Sequence, residues 1–165
     1  MLSIRAAEPG DLTAVAAIYA HYVTETVVTF DDEPPPLDAW QTRLSDLSAR
    51  GLPFLVGEVD GTVVGYAFAG PWKPKPAYRH TVENSVYLAP GWGGRGHGTQ
   101  LLQALLDDCP KAGVRQVIAV IADTGSDASA ALHRRLGFTE AGRLTGVGRK
   151  HGRWIDTVLM QRALG

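Results

Sequence analysis

The spacing of apolar residues predicts four helices. Apolar positions recur at helical intervals after Asp11, after Pro36, from Leu101 onward and after Ala128. Asp11 is a predicted N-cap, whereas Gly51 and Gly137 are predicted to end the second and fourth helices. The third helix has the clearest apolar face, which comprises Leu101, Leu102, Leu105, Leu106 and Cys109. These four segments are expected to pack one face each on a shared core.

Seven further segments are predicted to be strands. They are residues 2–6, 54–59, 62–69, 81–88, 117–122, 138–147 and 154–160, with a hairpin turn at Asp60-Gly61. The unbroken apolar run 117–122 is typical of a strand buried on both faces. The resulting order, β-α-α-β-β-β-α-β-α-β-β, predicts an α/β fold with mixed strand pairing.

Composition narrows the class of protein. A chain of 165 residues with 45% apolar and 20% charged residues predicts one globular domain, residues 1–165. The net charge of −1 argues against a nucleic-acid partner, and no apolar run is long enough to suggest a membrane partner. Cys109 is the single cysteine, which rules out an internal disulfide and predicts a cytoplasmic location. The histidines have no metal-binding spacing, so no metal is expected.

Glycine is enriched at one junction between a strand and a helix. The segment reads Gly93-Gly94-Arg95-Gly96-His97-Gly98-Thr99, and glycines free their amides to turn towards a ligand. The helix that follows adds its own unpaired N–H groups. We therefore predict a cradle for phosphate or pyrophosphate, with a merely flexible helix entry as the alternative. A P-loop is excluded because no lysine precedes Thr99, and the dinucleotide fingerprint is not matched.

Two sequence blocks extend this motif. Val86-Tyr87-Leu88-Ala89-Pro90 precedes the glycines, and Ser126-x-x-Ser129-x-x-Leu132-His133-x-x-Leu136-Gly137-Phe138 lies downstream. Together they resemble the GCN5-related N-acetyltransferase (GNAT) family. The segments 78–87 and 152–161, with Thr29-Phe30 before a Pro-rich run, resemble its phosphinothricin and methionine sulfoximine N-acetyltransferase branch. The resemblance implies the GNAT fold: one α/β domain with a mixed, mostly antiparallel central sheet flanked by helices.

The resemblance also implies acetyl-CoA as cosubstrate. Its expected contacts are Val86, Tyr87, Leu88, Gly93, Gly94, Arg95, Gly96, His97, Gly98, Thr99, Ser126 and Ser129. Three positions depart from the common family pattern: Gly93 stands where Gln or Arg is usual, Ser126 where Asn is frequent, and His133 where many relatives have Tyr. Gly93 and Ser126 lack the side-chain contacts to the cosubstrate that the usual residues would make. His133 leaves open which residue acts as the general acid.

Glu83 and His133 are the predicted catalytic residues. Alternation along the strand puts Glu83 on one face with Thr81, Ser85 and Tyr87, and its carboxylate could accept the proton of the amine. An ordinary ion pair with Arg79 or Lys75 is the alternative. His133 could protonate the leaving sulfur or contact CoA, but a structural hydrogen-bonding histidine is the alternative. Main-chain N–H groups between Val86 and Leu88 are expected to stabilise the oxyanion.

The predicted acceptor is a small amine that resembles an amino acid. Four aromatic residues would form an apolar wall: Phe30, Trp72, Tyr78 and Trp154. Arg79 would bind a carboxylate, with Lys73, Lys75 or Arg153 as alternatives, and Thr81 shares the face of Glu83. The expected outcome is detoxification by direct acetyl transfer. Three alternatives stay open: another amine (a polyamine, an aminoglycoside or a protein N-terminus), a non-catalytic acyl-CoA-binding sensor, and a nucleotide-phosphate binder. A homodimer is expected, with contacts from the C-terminal strands and the region 143–153.

Overall fold

The computed structural model describes the whole chain, Met1–Gly165. Its strands are β1 (Ser3–Ala6), β2 (Phe54–Val59), β3 (Thr62–Pro71), β4 (Thr81–Leu88), β5 (Gln116–Ala122), β6 (Thr139–Lys150) and β7 (Arg153–Ala163). Its helices are α1 (Leu12–Glu25), α2 (Leu37–Ala49), α3 (His97–Asp108) and α4 (Ala128–Arg135). The predicted order of helices and strands is confirmed. The last two strands run several residues further than the apolar pattern indicated. The extra residues of β6 pair with β7 across the turn at His151-Gly152, and the extra residues at the end of β7 pair with β5.

All seven strands form one sheet in the order β1-β2-β3-β4-β5-β7-β6. Every neighbouring pair is antiparallel except β4 and β5, which confirms the predicted mixed, mostly antiparallel sheet. The parallel ladder is short: it joins Thr81–Glu83 to Gln116–Ile118 and then stops, although β4 continues to Leu88 and β5 to Ala122. The sheet therefore has an opening between the second half of β4 and the second half of β5.

Helices cover both faces of the sheet. Alternation along β3 directs Ala67 and Ala69 into the core beneath α3, and Tyr66 and Phe68 into the core beneath α1 and α2. The five residues of the predicted apolar face of α3 are all buried. None of the helices combines the length and the apolar character of a membrane-spanning segment.

The close approach of α3 to the sheet depends on glycine. A Cβ atom at Gly65 in β3 would lie 2.7 Å from a methyl group of Leu88 and 2.9 Å from one of Leu101. A Cβ atom at Gly57 in β2 would lie 2.9 Å from Leu2 and 3.4 Å from Leu101. These two positions let the first turn of α3 lie against the sheet, which fixes the loop before it at the opening between β4 and β5.

The prediction that β5 is buried on both faces is wrong. Val117 and Ala119 lie in the core beneath α3, but Val120 is 39% exposed. The uncovered face of β5 lies beside the opening, where no helix packs on it, and Val120 and Ala122 line a cavity there. An unbroken apolar run therefore marks the wall of a binding cavity here rather than a fully covered strand.

Candidate functional site

The glycine-rich loop presents unpaired main-chain donors. The N–H groups of Gly96, His97, Gly98 and Thr99 donate to no acceptor in the protein. Gly94 and Gly96 adopt φ angles of 77° and 81°, which residues with a Cβ atom rarely adopt. An added Cβ at Gly93, Gly94 or Gly96 would meet no atom within 4 Å, so open space surrounds the loop. These features fit a pyrophosphate, whose oxygens accept hydrogen bonds from such N–H groups.

Two arginines add positive charge beside these amides. The guanidinium of Arg95 lies 4.7 Å above the ring of Trp92, and it forms no ion pair with the protein. Arg135, at the end of α4, donates a hydrogen bond of 3.3 Å to the hydroxyl of Thr99. Arg135 was not predicted, because its proximity to the loop depends on how α4 packs beside α3. Both cations strengthen the case for a phosphate ligand.

The second half of β4 presents main-chain groups to the opening. Ala89 N–H donates to Val64 O at 2.8 Å, and Trp72 N–H donates to Thr81 O at 3.3 Å. The odd-numbered residues of β4 therefore face β3, so Val86 and Leu88 face the side on which β5 has stopped pairing. The hydroxyl of Tyr22 donates to the carbonyl of Leu88. The N–H groups of Val86 and Leu88 remain directed at the opening.

A cavity of about 300 Å³ lies on the other face of the sheet, beneath α1 and α2. Three residues of β4 contribute side chains to its wall: Glu83, Ser85 and Tyr87. This is the face on which alternation had put them, whereas Val82, Val86 and Leu88 pack with the core beneath α3. A second cavity of about 520 Å³ shares Glu83 and Ser85 with the first and extends between α2 and the end of β3.

Glu83 is a half-buried carboxylate without an ion-pair partner. It takes part in none of the ion pairs of the structure, so the alternative of a bond to Arg79 or Lys75 is not what the structure shows. Burial raises the pKa of Glu83 above its usual range, and the positive charges of Arg43 and Lys73 oppose this rise. A carboxylate with a raised pKa is a stronger base, which suits proton transfer from an ammonium group.

The loop between α1 and α2, residues 26–36, forms one wall of the cavity. Thr29 is held from two sides: Tyr19 of α1 hydrogen-bonds its hydroxyl at 2.5 Å, and Lys150 of β6 donates to its carbonyl at 2.8 Å. Lys150 is buried, and burial lowers the pKa of its ammonium group. Phe30 lies directly over Gly148, where an added Cβ would be 2.3 Å from the ring. This loop is therefore anchored to both α1 and β6.

His133 is buried and both of its ring nitrogens are hydrogen-bonded. Nδ1 lies 2.7 Å from the carbonyl of Ser129, so it must carry a proton and donate it. Nε2 lies 3.0 Å from the side-chain nitrogen of Asn84 and therefore accepts. Burial lowers the pKa of His133, which keeps the ring neutral. This arrangement favours the structural alternative for His133, and protonation of the leaving sulfur by this residue stays a prediction.

The predicted substrate residues are only partly brought together. Phe30 lines the cavity, whereas Trp72, Tyr78, Arg79 and Thr81 lie outside its lining. Tyr78 is 45% exposed in a short 3₁₀ turn, and Arg79 donates to the carbonyl of Pro76 at 3.1 Å. The role of Arg79 as the carboxylate-binding residue therefore stays a prediction. Contact of the other three with a substrate stays a prediction.

Three other residues of the sequence analysis lie away from the cavity. Ser126 and Ser129 are exposed around the start of α4, and the hydroxyl of Ser126 accepts from Ala128 N–H at 3.3 Å. Their contact with a cosubstrate stays a prediction. Cys109 is fully buried, and burial raises the pKa of its thiol to about 12. A thiol in this state is a poor nucleophile, so Cys109 is a core residue.

Arg43 is a charged cavity residue that the sequence analysis missed. It lies on α2 and lines both cavities, with its guanidinium 4.8 Å above the ring of Phe68. Its helix shows an apolar face of Trp40, Leu44 and Leu47, and a polar residue one position from that face reads as solvated. Arg43 becomes a candidate site residue only because α2 packs opposite Glu83 and both residues line the same cavities. No local sequence pattern indicates this proximity.

Comparisons with known proteins agree with this geometry. The sequence profile of the Acetyltransferase (GNAT) family matches residues 15–138. A phosphinothricin N-acetyltransferase of Alcaligenes faecalis is 46% identical over 162 residues, which cover 98% of this chain and 82% of that protein. An L-methionine sulfoximine/L-methionine sulfone acetyltransferase of Pseudomonas aeruginosa is 41% identical over 160 residues, which cover 96% of this chain and 92% of that protein.

A solved structure has the same fold. The GNAT superfamily phosphinothricin acetyltransferase of Sinorhizobium meliloti, in complex with acetyl-CoA, superposes with a TM-score of 0.95 at 41% identity and covers 99% of this chain and 89% of that chain. The resemblance read from the glycine-rich loop and the downstream block is thus confirmed along nearly the whole sequence. The chain belongs to the GNAT family of acetyltransferases.

Proposed function

We propose that this protein is an acetyl-CoA-dependent N-acetyltransferase that acts on a small amine resembling an amino acid, of the phosphinothricin or methionine sulfoximine type. One observation carries the proposal: a partly desolvated, unpaired Glu83 carboxylate lies on one face of the sheet, and an anion cradle lies on the other. The opening between β4 and β5 lies between them. The names of the relatives from A. faecalis and P. aeruginosa support the class of acceptor.

Each part of the site has a role in the proposed reaction. The N–H groups from Gly96 to Thr99, with Arg95, would hold the pyrophosphate of CoA. Acetyl-CoA, when bound, supplies an acetyl group activated as a thioester. Glu83 would accept the proton of the acceptor ammonium, which frees its lone pair for attack on the acetyl carbonyl. The N–H groups of Val86 and Leu88 would donate to the carbonyl oxygen as it gains negative charge. Collapse of this adduct would break the C–S bond, and the departing thiolate would take the remaining extra proton of the nitrogen and leave as the free CoA thiol.

The test is acceptor-dependent release of free CoA thiol. Purified protein and acetyl-CoA would be supplied in turn with phosphinothricin, methionine sulfoximine, methionine sulfone, a polyamine, an aminoglycoside and a peptide with a free N-terminus. We expect turnover with the first three and background rates with the others. Turnover with another amine alone would replace the proposed acceptor class. Binding of CoA in calorimetry without any turnover would instead indicate a sensor, and preferential binding of ATP or NAD a nucleotide binder.

Transfer is proposed to be direct, without an acylated protein. Cys109 is the only thiol, and it is fully buried with a pKa raised to about 12. Initial rates with both substrates varied should therefore give intersecting reciprocal plots, because both substrates must be bound together. Parallel plots, or protein that gains an acetyl mass from acetyl-CoA alone, would contradict direct transfer.

A homodimer is the proposed assembly. Three apolar side chains stand exposed on β6 and β7, at 46% for Leu144, 55% for Val147 and 69% for Trp154. They lie in or beside the region 143–153, and burial against a second copy would remove this apolar surface from water. Light scattering should give twice the mass of one chain, and Val147→Asp should give a single chain. Leu37→Asp, at an exposed site on α2, is the matched control. A wild-type monomer would contradict the assembly.

A cytoplasmic location is the last part of the proposal. It rests on the free thiol of Cys109, which a reducing compartment preserves. Fractionation of cells that express the tagged protein, with cytoplasmic and periplasmic marker enzymes, should recover it with the cytoplasmic marker. Recovery with the periplasmic marker would contradict the proposal.

A further inference from the structure

Arg43 is a cation in the acceptor cavity without an ion-pair partner. Its guanidinium takes part in none of the ion pairs and in none of the side-chain hydrogen bonds of the structure. Its guanidinium lies 4.8 Å above the ring of Phe68 and 5.5 Å from the ring centre of Trp40. Both rings belong to the core beneath α1 and α2. This aromatic platform holds the guanidinium in place while its N–H donors remain available.

The charges around Arg43 leave a place for one more anion. Arg43 and Glu83 line both cavities and interact electrostatically, yet they are not in ion-pair contact. Asp31 lines the first cavity but accepts a hydrogen bond from Tyr19, and Asp46 lines the second but is paired with Arg50. Both carboxylates therefore already have partners. Arg43 is the only lysine or arginine in the lining of either cavity.

We propose that Arg43 binds an oxyanion of the acceptor while Glu83 receives its ammonium group, so that Arg43 determines the preference for acidic acceptors. The inference rests on the proposed function and adds a specificity residue to it. An amino acid carries an ammonium and a carboxylate on the same carbon, which matches a carboxylate and a guanidinium that line one cavity. A planar guanidinium can donate two parallel hydrogen bonds to a carboxylate or to a phosphinate.

The acceptor could present this oxyanion from two places: the α-carboxylate, or an acidic side chain such as the phosphinate of phosphinothricin. Comparison of three acceptors distinguishes the α-carboxylate from the acidic side chain as the group that Arg43 binds. Methionine sulfoximine has only the carboxylate, its carboxamide has neither, and phosphinothricin has both. Steady-state kinetics of wild type, Arg43→Ala and Arg43→Lys would be compared for each acceptor. Arg115→Ala is the matched control, because Arg115 is an exposed arginine that lies outside both cavities and forms no ion pair.

If Arg43 binds the carboxylate, Arg43→Ala should lower kcat/KM for methionine sulfoximine and phosphinothricin about 10- to 100-fold, mainly through KM. The carboxamide should then react equally well with both proteins. If Arg43 binds the phosphinate, only phosphinothricin should show the loss. Arg43→Lys should recover part of it, because an ammonium keeps the charge without the planar fork. In either case the control Arg115→Ala should keep wild-type constants.

Two results would overturn the inference and leave the proposed function intact. One is an Arg43→Ala variant with wild-type constants for all three acceptors. The other is an equal loss for all three, carboxamide included, which would show that Arg43 only supports the fold of the cavity. Lys73→Ala and Arg79→Ala are measured in parallel. A selective loss of kcat/KM in one of these variants but not in Arg43→Ala would assign binding of the oxyanion to that residue instead. Failure of wild type with every acceptor would instead overturn the proposed function.

Discussion

Replacement of His133 by leucine tests whether this residue supports the fold or the chemistry. The substitution removes two hydrogen bonds, from Nδ1 to the Ser129 carbonyl at 2.7 Å and from Asn84 to Nε2 at 3.0 Å. It also leaves the Asn84 side chain with no partner, because its Oδ1 atom is already buried and unpaired. Two hydrogen bonds at about 1 kcal/mol each, plus an unpaired buried amide, predict a loss of about 3–5 kcal/mol at pH 7.5.

Urea unfolding at several pH values measures this loss. The folded protein keeps His133 neutral, whereas the unfolded chain takes up a proton once the pH falls below about 6.5. The wild type therefore loses stability below that pH, with a limiting slope of about 1.4 kcal/mol per pH unit from this group. His133→Leu lacks this contribution, so the difference in unfolding free energy between the two proteins should shrink from pH 7.5 to pH 5.5.

Two observations would refute this reasoning. A stability difference that grows as the pH falls would mean that the folded state binds the proton, and the ring would then be cationic. A large drop in kcat without loss of stability would return His133 to a catalytic role. As a control, Asn84→Leu combined with His133→Leu should cost less than the sum of the single changes, because the buried amide is then absent.

The remaining predictions concern the base, the cradle and the thiol. Glu83→Gln should lower kcat/KM about 10²- to 10⁴-fold at neutral pH. The same variant should unfold at a higher temperature, because burial opposes the charged carboxylate that glutamine replaces; an unchanged rate would contradict the base assignment. Gly96→Ala should raise KM for acetyl-CoA, because the φ angle of 81° at this position costs an alanine about 1–2 kcal/mol. Gly93→Ala should leave this KM unchanged, because Gly93 lies in open space and has no positive φ. Equal effects of the two substitutions would count against the cradle. Cys109 should react with a thiol reagent only in denaturant, and fast reaction of the folded protein would show that it is not buried.

The fold was largely predictable because local signals agreed with one another. Alternating apolar residues and the Asp60-Gly61 turn indicated the same order of helices and strands, which the structure confirms. Asp11 does precede the first helix, but its carboxylate accepts from Glu8 N–H and from Arg5 and makes no cap bond to that helix, so its predicted capping role is wrong. A second exception is instructive. The run 117–122 is apolar throughout, and sequence alone does not show whether a helix or a cavity lies against each face of a strand. The exposure of Val120 is set by where β4 and β5 stop pairing, which is a long-range property.

In the candidate site, too, features set by neighbouring residues in the sequence could be predicted, and features set by long-range contacts could not. The glycine-rich loop could be recognised because its function depends on residues adjacent in sequence. The face of Glu83 followed from strand alternation within β4. Arg43 could not be recognised, because it meets Glu83 only when α2 packs across the sheet from β4. The neutral state of His133 likewise depends on Asn84, which lies 49 positions away in the chain.

The opening between β4 and β5 separates a binding surface made of main-chain groups from a cavity made of side chains. This difference determines which substitutions can change the specificity of the protein. On one side, the donors are main-chain N–H groups of Val86, Leu88 and the residues from Gly96 onward, which most side-chain substitutions leave in place. On the other side, the cavity is built from side chains, among them those of α2, of the loop 26–36 and of β4. Mutations that accumulate there can retune which amine is accepted while the handling of the acyl donor is inherited unchanged. Substitutions in α2 or in the loop 26–36 should therefore change the choice of amine more than they change the binding of the acyl donor.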